Sequence, residues 1–147
     1  MKLFKIAGLI CLTCLPAIFM SPVSGMSHSL NISGNPRVLI LSGLQKQVLQ
    51  QLNIFNPVQS EVYDRDIMTL IYDGHNFKIV ENLTAPQFVS SSLREYEVFK
   101  PQLNEEEFSL LLIGKDGGLK QKWVTPVSFN DIANIIDQMP MRQREML

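Results

Sequence analysis

Phe108-Ser-Leu-Leu-Leu-Ile-Gly-Lys-Asp-Gly-Gly-Leu-Lys-Gln-Lys-Trp-Val-Thr125 is the stretch on which the fold turns. An apolar run, Phe108 to Ile113, meets a turn of Gly114, Lys115, Asp116, Gly117 and Gly118, and an alternating run follows from Leu119 to Thr125. The pattern predicts two antiparallel strands around a Gly-rich hairpin loop. Gly117 or Gly118 is expected at positive φ, with Asp116 accepting a backbone hydrogen bond. A phosphate-binding loop would need G-x-x-x-x-G-K-[ST] leading from a strand into a helix. Here Asp116 follows the lysine and a strand follows the glycines, so the turn reading prevails. Its remaining functional use is to present Lys115 and Asp116 to a partner. Downstream, Ser128 with Asp131 caps a helix whose apolar stripe is Phe129, Ile132, Ile135 and Ile136, and Pro140 marks its end.

Upstream, Arg37 to Ser42 is a short branched apolar run suited to a strand buried on both faces. Leu44, Val48, Leu49 and Leu52 then recur at helical spacing, with Gln45, Lys46, Gln47, Gln50 and Gln51 opposite them. Asn56-Pro57 breaks this helix, and Gln59 to Asp64 gives one more turn before a second strand, Ile67 to Tyr72. Asp73-Gly74 turns the chain into Phe77 to Val80, an edge strand or a loop. Thr84 with Gln87 fits a capping box, and Pro86 suits a first turn. The expected helix carries Phe88, Leu93 and Tyr96 on one face and stops at Phe99-Lys-Pro101. The order is β-α-β followed by α-β-β-α. This predicts an α/β domain, a mixed sheet with helices on both faces laid out as in the thioredoxin-like fold.

The first residues have a different character. Lys2 and Lys5 precede an apolar stretch from Ile6 to Met20, closed by Ser21-Pro22, and Val23 and Gly25 are small enough for a cleavage site. Residues 1–25 are therefore expected to be a signal peptide, 26–36 a flexible lead-in, and 37–147 the thioredoxin-like domain. The apolar stretch is short against the roughly 20 residues of a membrane-spanning helix. Removing Lys2 and Lys5 with the leader takes the formal charge from −1 to −3. A mildly acidic domain without a basic cluster argues against nucleic acid and against docking to an anionic membrane. Both cysteines, Cys11 and Cys14, lie in the expected leader, so the mature chain carries no thiol. Asn31-Ile-Ser33 and Asn82-Leu-Thr84 are glycosylation sequons, silent in a bacterial exporter.

Leu112-Ile-Gly-Lys-Asp-Gly-Gly-Leu-Lys120, followed by Ile135-Ile-Asp-Gln-Met-Pro-Met-Arg-Gln-Arg-Glu-Met146, resembles a family known as a domain of unknown function. That family has a predicted thioredoxin-like fold. It occurs as small exported bacterial proteins and as a module in secreted animal proteins, the sushi-repeat-containing ones included. Arg65-Asp66, leading into the second strand, also looks like it, so the resemblance runs from Arg37 to Met146. It implies a fold and a secretory route, periplasmic or secreted, and it implies no reaction. A thioredoxin carries a reactive cysteine after its first strand, where this chain reads Ser42-Gly43-Leu44.

Few residues remain as candidates for chemistry. Met139, Met141 and Met146 are soft ligands of the kind that suit Cu(I). Without cysteine, and with His28 and His75 distant in sequence, they are expected instead to pack, Met139 and Met141 against the sheet. Arg142 and Arg144 fall where cations suit a helix C-terminus. Arg65, Asp66 and Arg142 offer an ion pair between the second strand's entry and the tail, while Asp64 and Asp66 are expected to be solvated. His75 is expected in an exposed turn. No catalytic residue, cofactor or metal set is assigned. The leading expectation is an exported non-catalytic domain that binds a protein or surface partner. The alternative is an enzyme or small-ligand binder with Arg65, Lys115, Asp116 and Arg142 gathered on one pocket.

Overall fold

The computed structural model describes residues 35–83, 88–90 and 93–147. Its strands are β1 (Arg37–Ser42), β2 (Ile67–Tyr72), β3 (Phe77–Val80), β4 (Phe88–Ser90), β5 (Ser109–Ile113) and β6 (Leu119–Trp123). They form one six-stranded sheet in the order β4-β3-β2-β1-β5-β6. β1 lies parallel to β2, Arg37 opposite Ile67, and antiparallel to β5, Ile40 opposite Leu111. Every other pairing is antiparallel, and the β5–β6 register slips between Leu112 and Ile113. The mixed α/β sheet expected from the element order is present.

β1 and β5 are buried along their whole length, which is why their sequences run apolar without alternation. Leu39, Leu41, Leu110 and Leu112 face a core supplied by α1 (Gln45–Phe55), α2 (Gln59–Asp64) and α3 (Phe129–Asp137). Val38, Ile40, Leu111 and Ile113 join Phe77, Tyr96 and Phe99 on the other face. That second face is covered by a 3₁₀ segment, Arg94–Gln102, and not by an α-helix. Leu93, Tyr96 and Phe99 recur every third residue, the spacing at which 3₁₀ side chains align. The helix expected from Thr84 differs accordingly. Residues 84–87, with the capping box, lie outside the described residues, Phe88 belongs to a strand, and the 3₁₀ segment runs through Pro101 to Gln102. Because β4 pairs with β3, β3 is an interior strand of the sheet.

The buried face of α1 also differs from the spacing-based expectation. Leu44 and Leu49 are exposed, whereas Gln51, assigned to the polar face, is fully buried with Val48, Leu52 and Phe55. Its side-chain amide donates to the Val127 carbonyl at 2.9 Å and accepts from the Val127 N–H at 2.8 Å, so its burial leaves no polar group unmet. Between β1 and α1, Gly43 sits at φ 123°, and a Cβ there would meet the Phe108 Cα at 2.6 Å. The cap of α3 is as expected, with Ser128 Oγ accepting from the Asp131 N–H at 3.3 Å. Pro140 separates α3 from α4 (Pro140–Glu145), where it takes the first helical turn that proline favours.

Candidate functional site

The hairpin loop closes with Gly117 at φ 75°, the Gly117 N–H on the Gly114 carbonyl at 2.9 Å, and the Gly118 N–H on Asp116 Oδ1 at 3.1 Å. This geometry turns Lys115 and Asp116 in different directions. Asp116 stays at the exposed tip and pairs with Lys120 at 2.5 Å. Lys115 reaches back across the end of the sheet to Asp66 at 2.8 Å and Glu145 at 3.0 Å. Asp66 offers its carboxylate from a left-handed backbone conformation, φ 52°, which aspartate tolerates better than most residues. Its N–H bonds the Tyr63 carbonyl at 2.9 Å, closing the two-residue turn between α2 and β2.

Around Lys115 lies a network of four cations and five carboxylates, the outermost being Glu61, 3.7 Å from Arg65. Arg37, 1% exposed at the start of β1, donates Nη1 and Nη2 to Glu145 at 3.1 and 3.2 Å, and Nη1 also to the Arg65 carbonyl at 2.7 Å. Arg65 grips Asp137 through Nε at 3.0 Å and Nη2 at 2.8 Å, a two-pronged contact that matches guanidinium to carboxylate. Arg142, buried in α4, bonds the Asp64 carboxylate and, at 2.9 Å, the Asp64 carbonyl. It also meets Asp137 at 3.4 Å and Glu145 at 3.7 Å. The network thus ties α4 to the starts of β1 and β2, to the end of α3 and to the hairpin.

The titration of these groups follows from their partners. Bonds from Arg65 hold the Asp137 carboxyl below its ordinary range against the opposing effect of burial. Burial pushes Glu145 up, and Arg37 and Lys115 more than offset it, so its carboxyl also sits low. Burial pulls Lys115 down, and Asp66 and Glu145 outweigh it, leaving its ammonium harder to deprotonate. Asp116 is held low by Lys120. A set of acids that stay ionised, facing cations that stay protonated, is suited to holding structure and anions, and poorly matched to proton transfer near neutral pH.

Of the sequence-derived candidates, Arg65, Asp66, Lys115 and Arg142 belong to this network and Asp116 does not. They do not converge on one pocket. A cleft of about 310 Å³ is lined by Lys115 and Asp116 together with Arg37, Lys120, Ile135 and Met139, among others, and Arg65 and Arg142 do not line it. Asp64 and Asp66 are exposed, as expected, and each also holds a cation, Arg142 and Lys115 respectively. Met139 packs on the core as expected. Met141 and Met146 are exposed, since α4 turns their side of the helix outward. His75 lies in an exposed turn, its N–H bonded to Asp73 Oδ1 at 3.1 Å.

Sequence reasoning passed over Arg37, Asp137 and Glu145. Arg37 carried a usable signal, since a cation opening a strand that is otherwise apolar must find a counter-ion when it is buried. Asp137 and Glu145 had only Arg142 nearby as a signal, five and three residues away, while the arginines that donate two bonds to each lie 72 and 108 residues away.

The profile of one family matches residues 30–145, most of the chain and all of this network. The chain belongs to the family described as Domain of unknown function (DUF4174). The family's description carries no activity. The chain is also 28% identical over 99 residues to coiled-coil domain-containing protein 80 of Danio rerio. The match covers 67% of this chain and only 11% of that relative, in which a stretch of this kind is one small part. No solved structure matches the chain.

Proposed function

We propose that this DUF4174 chain is an exported, non-catalytic domain of thioredoxin-like layout that binds a protein or surface partner. The observation that carries the reading is the closed charge network, in which Arg37, Arg65, Lys115 and Arg142 are each matched by a carboxylate. A side chain committed to a 2.8–3.1 Å ion pair is poorly placed to act as a general base or nucleophile. The layout is supported by the order β2-β1-β5-β6 with β1 parallel to β2 and antiparallel to β5. Residues 35–147 contain no cysteine, so the thiol chemistry of that layout has no residue to run on.

Export rests on the charged start, apolar stretch and small-residue exit of residues 1–25. Partner binding draws support from the edge strand β6 and the residue after it, where Leu119 and Val124 stand exposed beside a half-buried Trp123. An aromatic and aliphatic edge of this kind suits a protein surface. Expression of the full chain with a C-terminal tag, followed by mass spectrometry of the exported fraction, should find a chain beginning at Met26. Cross-linked capture from the same fraction should recover one protein species, reduced at least fivefold by Trp123→Ala. Retention of the chain inside the cell, or capture insensitive to Trp123→Ala, would defeat the proposal.

A further inference from the structure

Glu145 occupies its position as a bound ligand would. Its carboxylate takes two bonds from Arg37 and one from Lys115, with Arg142 at 3.7 Å. The other carboxylates have principal cations elsewhere: Asp137 and Glu61 have Arg65, Asp64 has Arg142, and Asp66 has Lys115. Glu145 is the sole carboxylate that Arg37 meets among the described residues, and the Arg37 Nε, wholly buried, has no partner. Removing Glu145 would leave the buried Arg37 guanidinium without a carboxylate among the described residues.

The element that delivers Glu145 is lightly held. α4 has six residues, of which Arg142 alone is buried, and Met141, Gln143 and Arg144 face solvent. Ions anchor this helix more than apolar contact does. The cleft of about 310 Å³ opens onto two of these cations, Arg37 and Lys115; the mutually paired Lys120 and Asp116 also line it, and Ile135, Met139 and Met141 give it an apolar wall. Its size lies at the lower end of the range that takes small molecules.

We propose that this cleft binds a small organic monocarboxylate, whose head takes the seat of Glu145 on Arg37 and Lys115 while its apolar body lies along Ile135 and Met139. Glu145 is then a built-in competitor, delivered by α4. The carboxylate class follows from the occupant already seated there, and the apolar body from the wall beside it.

The probe is sodium octanoate, with 1-octanol and inorganic phosphate as comparisons. Binding to the folded chain is followed by titration calorimetry and by amide shifts in nuclear magnetic resonance. Glu145→Gln should bind octanoate at least tenfold more tightly than the native chain. The amide shifts should centre on Gly114–Lys120 and Ile135–Met141, and Lys115→Met added to Glu145→Gln should lose most of the gain. Octanol should bind at least tenfold more weakly than octanoate. Should Glu145→Gln fail to fold, Glu145→Asp, which draws the acid back by one methylene, carries the same test with a gain of threefold or more. Equal octanoate affinity with and without Glu145, shifts elsewhere in the chain, or phosphate binding as tightly as octanoate would each overturn the assignment.

Discussion

Lys115 and Asp116 are adjacent in the chain and live in two electrostatic regimes. Lys115 is 18% exposed and shared between two carboxylates from distant elements, whereas Asp116 is 56% exposed and paired with a lysine four residues on. The hairpin-tip contact is the shorter, 2.5 Å against 2.8 and 3.0 Å. Distance is nevertheless the wrong measure of what the two pairs do. Water and salt screen the tip, and an exposed pair contributes about 0–1 kcal/mol however close its atoms. Around Lys115 the low-dielectric surroundings make each partner costly to remove, because what remains is a buried charge without its counter-ion.

That contrast can be broken most directly at Glu145. Glu145→Ala strips Arg37 of its carboxylate, and urea unfolding should register a loss of about 3 kcal/mol, the low end for breaking a buried pair because Glu145 is itself 30% exposed. A change under 1 kcal/mol would put the network in the same class as the tip. The next effect belongs to the tip's backbone and not to its charges. At Gly117, φ 75° with open space where a Cβ would stand, alanine should cost about 1–2 kcal/mol through left-handed strain alone. Asp116→Asn should be the smallest, within about 0.5 kcal/mol, and should vanish in 1 M salt.

Acid titration sharpens the same comparison. Asp137 and Glu145 have folded values below their ordinary 3.8 and 4.5, so they bind protons less readily folded than unfolded. Their stabilisation is present above those ordinary values and is lost as pH falls through the depressed ones. The urea midpoint should therefore hold steady from neutrality to about pH 5 and decline below about pH 4.5. Glu145→Gln should flatten the upper part of that decline, and Asp116→Asn should remove only a small, salt-screened part below pH 3.8, because the exposed Asp116 carboxyl is also held low by Lys120. Asp73, drawn down to about 2 chiefly by its bond from Lys78, adds a later loss between its ordinary 3.8 and about 2, which Asp73→Asn should remove.

Much of the fold was legible because its signals are local. The boundaries Arg37–Ser42, Gln59–Asp64 and Ile67–Tyr72 follow from apolar runs ended by glycine, proline and charge, and Ser128 marked its own helix. The segment from Leu93 to Gln102 was misread because a period of three resembles a period of 3.6 over so few residues. Gln51 was misassigned because its partner is a backbone group 76 residues away. The site was half legible for the same reason. Arg65, Asp66, Lys115 and Arg142 stand out beside turns and helix ends, but which carboxylate answers which cation is decided by tertiary packing. Nothing near Asp116 in sequence separates it from Lys115; the glycine turn does that in three dimensions.

The paired bonds between Gln51 and Val127 have a consequence on a different axis, that of time. Donating and accepting at one residue is what a neighbouring strand does, so the glutamine side chain acts as a single rung of sheet for a loop that has no strand beside it. The Val127 amide should then exchange its hydrogen with solvent on the slow clock of the core instead of the fast clock of its loop. The lead-in to α3 would open only when α1 itself lets go.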